Sequence, residues 1–138
     1  MIVIDANGAV LGRMATHVAK NLLNGEKVVV VNAEKAVISG SRKDIYGRYK
    51  QRWDRGNLAN PTKATKQPRT PDRIVRRTIR GMVNFRTTRG AKAYKNLKVY
   101  IGVPEEYTDK AEKYTTRSPR KKLAVLELSK MLGWKGGE

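Results

Sequence analysis

Arg69, Arg73, Arg76, Arg77 and Arg80 follow one another at helical steps of three and four, and they carry the most visible chemistry in this chain. On a helix they form one basic ridge, and like charges at that spacing destabilise an isolated helix by about 0.2–0.5 kcal/mol per pair. A solvated charged face ordinarily mixes its signs, and no acidic residue shares this one. The planar guanidinium fork grips phosphate oxygens two at a time, so the ridge reads as a phosphate-binding surface. A second cluster, Arg42, Lys43, Arg48, Lys50, Arg52 and Arg55, is interleaved with Tyr46, Tyr49 and Trp53. Aromatic rings among cations suit stacking on splayed single-stranded bases. The i, i+3, i+7 spacing of those rings is also how a helix docks on a sheet. Most of their surface is therefore assigned to the core and the basic residues to a nucleic acid. In a third patch, Arg86, Arg89 and Lys92 stand in a run from Arg86 to Lys95, whose Gly90 and small side chains allow a phosphate chain to come close.

Together these clusters make a local excess of charge. From Arg42 to Lys95 there are 17 Lys+Arg against Asp44, Asp54 and Asp72, so this segment holds +14 of the chain's +18. Neutralising phosphates releases condensed counterions, which makes nucleic acid the expected partner of such a surface.

Other chemistry is poorly supplied. The chain has no cysteine and one histidine, His17, so disulfides, thiolate metal sites and ordinary histidine metal sites are excluded. The run Asp5-Ala6-Asn7-Gly8-Ala9-Val10-Leu11-Gly12-Arg13 follows a strand and opens a helix, as a dinucleotide loop does. Gly8 and Gly12 do not fit G-x-G-x-x-G, however, and no P-loop lysine pair follows. A tight turn and close helix–strand packing explain these glycines, with Asp5 capping the helix start. No paired carboxylates or nucleophile elbow appear. The chain is expected to have no catalytic residues, no cofactor and no small-molecule substrate. It has no signal-like start and no long apolar run, so a soluble, cytoplasmic protein without membrane contact is expected.

The elements that must hold the basic surface begin with a β-α-β unit. Ile2–Ile4 reads as a short buried strand. Val10, Leu11, Met14, Ala15, Val18, Ala19, Leu22 and Leu23 fall on one face of a helix that Asn24-Gly25 ends. Residues 27–32 form a strand apolar on both faces, which belongs inside a parallel sheet covered by helices. A third apolar run, 36–38, follows. Ser41 caps a helix running to Trp53, and residues 54–71 are a Pro- and Asn-rich loop without a core of its own. A second helix starts with Thr70 as N-cap, Pro71 at its first position and Asp72 in its first turn, with Ile74, Val75, Thr78, Ile79 and Met82 as its apolar side. Residues 97–101 read as a fourth strand and 120–133 as a terminal helix. The 138 residues suit one domain, with a basic insertion at about 42–95.

Two stretches, VIDANGAVLGRMATHVAKNLLNGEKVVVVNAEKAVISGSR and RRTIRGMVNFRTTRGAKAYKNLKVYIGVP, make the chain resemble the large-subunit ribosomal protein L13 family in its archaeal-eukaryotic style. The likeness runs from Ile2 to Pro104 and more loosely over the C-terminal helix. Members commonly carry Leu-Pro after Arg-Gly-Met; Val83-Asn84-Phe85 stand there in this chain. The resemblance implies a three-layer α/β/α fold on a four-stranded parallel sheet, with the basic helix–loop insertion between strands three and four. It implies a non-catalytic role, with large-subunit rRNA and neighbouring large-subunit ribosomal proteins as partners and support of subunit assembly. Arg42, Arg76, Arg77, Arg80, Arg86, Arg89 and Lys92 are the RNA contacts it implies, while Arg13 fits a structural role at the helix start equally well. Two other readings stay open at this level: a nucleotide-dependent RNA-modifying enzyme with its cofactor at Asp5–Arg13, and a general DNA-coating protein.

Overall fold

Val28–Val31 form a strand, β2, in which all four side chains are buried, and this strand fixes the architecture. A computed structural model describes residues 1–136. In it β2 lies between β1 (Ile2–Asp5) and β4 (Leu97–Val99), and β5 (Glu112–Lys113) completes a four-stranded sheet in the order β4-β2-β1-β5. Every pairing is parallel, with Ile2 opposite Val28 and Val28 opposite Leu97. Side chains alternate across a strand, so the two faces of β2 go to different layers. Val28 and Val30 join the main core with Ile4 and Leu97, whereas Val29 and Val31 pack with Val3 and Tyr107.

The main-core face is covered by helices. α1 (Leu11–Leu23) buries Leu11, Met14, Ala15, Val18, Ala19 and Leu22, and ends at Asn24 and Gly25, whose φ of +94° is the left-handed cap that glycine adopts freely. α3 (Pro71–Met82) buries Ile74, Val75 and Ile79 and packs chiefly on α1. The other face is closed by a short helical turn at Glu105–Tyr107, with half-buried Tyr100 and Ala111 beside it. The result is the expected three-layer α/β/α arrangement on a four-stranded parallel sheet.

One strand of that sheet is not the one expected. β3 (Val37–Ser39) leaves the parallel sheet and pairs antiparallel with β6 (Lys122–Ala124). The cause is the connection. After β2 the chain turns through Asn32, at φ +54°, and one helical turn at Ala33–Lys35 before β3 begins. A parallel neighbour needs a crossover of a dozen or more residues, and this link is far shorter. The fourth parallel position falls instead to β5. β6 in turn takes the start of the expected 120–133 helix, so that the terminal helix, α5, spans Val125–Met131.

α2 (Arg42–Asp54) and α4 (Thr88–Lys95) complete the helices and, with α3, lie between β3 and β4 as expected. Ser41 caps α2 by accepting a hydrogen bond from the Asp44 amide at 3.2 Å. Asp5 does not cap α1. Its carboxylate accepts from the Asn7 amide at 3.0 Å and the Asn32 side chain at 2.8 Å, tying the C-terminal end of β1 to the left-handed turn. Thr70 stands at the N-cap of α3 but makes no capping bond. Met82, assigned to the apolar side of α3, is exposed.

Gly90 shows what its position is for. A methyl group there would collide with the backbone carbonyls of Val83 and Asn84. The glycine therefore admits this chain's own backbone, not a phosphate chain. Gly90→Ala is predicted to destabilise the protein by about 1–3 kcal/mol through overpacking, measured as a lowered urea midpoint. An unchanged midpoint would contradict this reading of the α3–α4 turn.

Candidate nucleic-acid interface

Burial of Ile74, Val75 and Ile79 leaves one side of α3 turned outward, and Arg73, Arg76, Arg77 and Arg80 occupy it. Arg73 and Arg76 are exposed; Arg77 and Arg80 are half-buried. Burial lowers the pKa of Arg77 from its ordinary value, and the neighbouring charges of Arg80 and Arg52 lower it further, against an opposing effect of Tyr94. Arginine stays charged through such shifts. The direction records the burial of the group first and the crowding of the positive charges second.

What stands beside these cations is aromatic. The Arg76 guanidinium lies 4.9 Å from the Tyr94 ring centroid, and its Nε donates to the Tyr94 hydroxyl at 2.9 Å. Arg80 lies 4.5 Å from the Phe85 ring and Arg52 5.6 Å from that of Tyr49. Arg69, expected on the ridge, precedes the helix and sits 4.0 Å above the Trp53 ring. Stacking uses the face of a guanidinium and leaves its N–H edge free for an anion.

Arg77 also donates to the Lys66 carbonyl at 3.1 Å, which pins residues 66–68 across the helix. Lys66, Arg73, Arg76, Arg77, Arg80 and Tyr94 thereby surround an open cleft of about 250 Å³. The loop behind it has no buried residue from Arg55 to Thr70. Its internal order comes from Asn57 and Asn60, whose side chains accept from nearby amides, and from one helical turn at Pro61–Lys63.

The rest of the basic surface divides by role. Arg42, Lys43, Arg48 and Arg52 are exposed along α2, and Arg86 and Lys92 are exposed around α4. Lys50 is ion-paired with Asp54 at 3.1 Å, the single ion pair that the thirteen basic candidates make among the described residues. Arg89 donates to the Leu23 carbonyl at 3.1 Å, satisfying the C-terminal end of α1. The aromatic residues of α2 are mostly core: Tyr46 and Tyr49 pack against it, and burial raises the pKa of Tyr49 despite the opposing charges of Arg52 and Arg48.

One basic cluster is not apparent from the sequence. Arg13, Arg117 and Arg120 meet with Ser39 around a cleft of about 430 Å³ on another part of the surface. Residues 113–122 contain Lys113, Arg117, Arg120, Lys121 and Lys122 and no acid. They follow Glu105, Glu106, Asp109 and Glu112, and these four acids offset most of the run in a longer charge sum. Only a charge window as short as the run itself picks it out.

Among the described residues there is no group of His, Asp and Glu arranged to hold a metal ion, and no helix is long and apolar enough to cross a membrane.

The model of the family described as ribosomal protein L13 matches residues 1–106. A protein of Methanosphaera stadtmanae, named large ribosomal subunit protein uL13, is 45% identical over 138 residues, covering 96% of this chain and 97% of its own. One of Sulfurisphaera tokodaii with the same name is 46% identical over 139 residues, covering 96% and 94%. A third, from Methanosarcina barkeri, is 51% identical over 110 residues, covering 79% and 76%.

Arg89→Met is predicted to cost about 0.5–1.5 kcal/mol of stability by stripping the Leu23 carbonyl of its donor. Arg73→Met, at an exposed residue with no hydrogen-bond partner among those described, should stay within about 0.5 kcal/mol of the parent. Thermal unfolding separates them, and equal shifts would contradict the division of roles.

Proposed function

This chain belongs to the ribosomal protein L13 family, and from that premise we propose that it is a structural, non-catalytic constituent of the large ribosomal subunit. It binds large-subunit rRNA through the insertion at about 42–95 and supports assembly of the subunit, with neighbouring ribosomal proteins as further partners. All 138 residues act as one L13-like domain, its α/β core the rigid mount for the insertion. The observation that carries the reading is the outer side of α3, where Arg73, Arg76, Arg77 and Arg80 stand together without a carboxylate pair among the described residues.

A surface of crowded cations is disfavoured by itself and favoured against phosphates, because each phosphate relieves repulsion and sheds counterions. Arg42, Lys43, Arg48, Arg52, Arg69, Arg86 and Lys92 widen the footprint around the α3 centre. Lys50 contributes after giving up Asp54, and Arg89 with the donors it does not use on Leu23. Such contacts position the protein on a shaped RNA and carry little base readout. Of the loop at 54–71, the part that precedes the Arg77-held residues 66–68 settles on the RNA, since it has too little apolar surface to offset its chain entropy alone.

Co-sedimentation tests this directly. The parent protein should travel with the large subunit in moderate salt. A variant with Arg73, Arg76, Arg77 and Arg80 all changed to Gln, and folded by circular dichroism, should remain in the supernatant. Equal incorporation of the two, or loss of the parent from the subunit, would overturn the reading.

A further inference from the structure

Next to the arginine cleft lies a second one of different character, about 340 Å³ in volume and walled by Tyr49, Trp53, Ile74 and Leu132, with Arg52 and Arg77 also lining it. The two clefts share Gln67, Pro68 and Arg77. We propose that this second cleft receives one unstacked nucleobase of the bound RNA while the phosphates beside that base lie in the arginine cleft. The inference rests on RNA being the partner and adds where a base is held.

The lining matches the two sides of a nucleobase. A base has apolar π-faces and a polar edge, and it pairs by stacking on aromatic rings and by hydrogen bonds at its rim. Tyr49, Trp53, Ile74 and Leu132 supply the apolar walls, and Arg52 and Arg77 supply donors. The volume falls in the range of small-ligand pockets, roughly 300–1,000 Å³.

The placement of charge selects a nucleotide over an apolar side chain of a protein partner. A hydrophobic side chain would satisfy the walls but leave Arg52 and Arg77 desolvated without an anion. A nucleotide brings both parts, and the arginine cleft begins at Arg77, one of the residues the two share. Arg77 further holds the Lys66 carbonyl, so the strap 66–68 separates base from phosphates at a fixed point. Because π-stacking tolerates every base, this site adds affinity for single-stranded segments and little sequence preference.

Fluorescence anisotropy with the full chain tests the proposal, using a single-stranded oligoadenosine of about ten nucleotides and an abasic oligomer of the same length and charge. The abasic oligomer should bind about tenfold or more weakly at equal salt. Gly81 lines the cleft, and a Cβ added there meets nothing within 4 Å. Gly81→Leu therefore starts into open space at the mouth of the cleft and brings a better helix former. It should lower oligoadenosine affinity to the abasic level and leave abasic binding unchanged. Equal binding of the two oligomers by the parent, with a steep salt dependence kept, overturns the base pocket and spares the phosphate reading. A base preference that survives in Gly81→Leu puts the base elsewhere and overturns it too. Weak, salt-independent binding of both oligomers overturns the pocket and the RNA reading together.

Discussion

The docking of α3 by Pro71, Ile74, Val75 and Ile79 is the constraint on which the basic surface depends. Arginines at helical spacing repel one another, and in an isolated peptide that repulsion works against the helix. Here each buried aliphatic side chain is worth about 1.5–3 kcal/mol of transfer from water, several times the repulsion of one pair. The apolar side therefore decides the conformation, and the charged side is carried with it. Pro71 at the first position and Asp72 in the first turn assist by favouring the helical start. Because the hydrophobic side is anchored on α1 and the sheet, the cations cannot spread apart to relieve their own field.

Relief comes from neutral rings instead of carboxylates. Arg69, Arg52, Arg76 and Arg80 each sit against an aromatic face. A carboxylate would neutralise the charge and occupy the N–H edge, as Asp54 does for Lys50. An aromatic face restrains the side chain while leaving both charge and donors in place. The surface is thus held in shape with its electrostatic potential intact, which suits recognition of a folded RNA by its phosphates. It also limits the rotamer freedom that the arginines would otherwise lose on binding.

Much of this is legible in the sequence, because the signals that encode it are local. α1, β2, α2 and α3 are written in periodicity and in end residues, such as Asn24-Gly25, Ser41 and Pro71, that act within a few positions of themselves. Charge density likewise marks the insertion, since it is a property of sequence windows. What stays hidden depends on distant partners. Residues 36–38 look like another sheet strand, but the short turn at Asn32–Lys35 sends them to β6, more than eighty residues on. β5 has only Glu112 and Lys113, both exposed, so no apolar pattern announces it. The roles of Arg89 and Gly90 are equally out of reach: one reaches back 66 residues to the end of α1, and the other is pressed against the Val83 and Asn84 carbonyls. Arg69 fits the helical spacing of the ridge, although Thr70 and Pro71 place the helix start after it.

The central claim is that the α3 arginines bind rRNA by neutralising phosphates, and the salt dependence of affinity measures this most directly. The slope of log Kd against log salt concentration, taken with a large-subunit rRNA fragment from about 50 to 200 mM NaCl, counts the phosphates engaged. A fall in affinity on the order of 10³–10⁵ across that range is predicted for the parent protein. Arg73→Gln and Arg76→Gln should each reduce the slope by about one unit. A flat response in the parent, or a slope that neither substitution changes, would contradict the account.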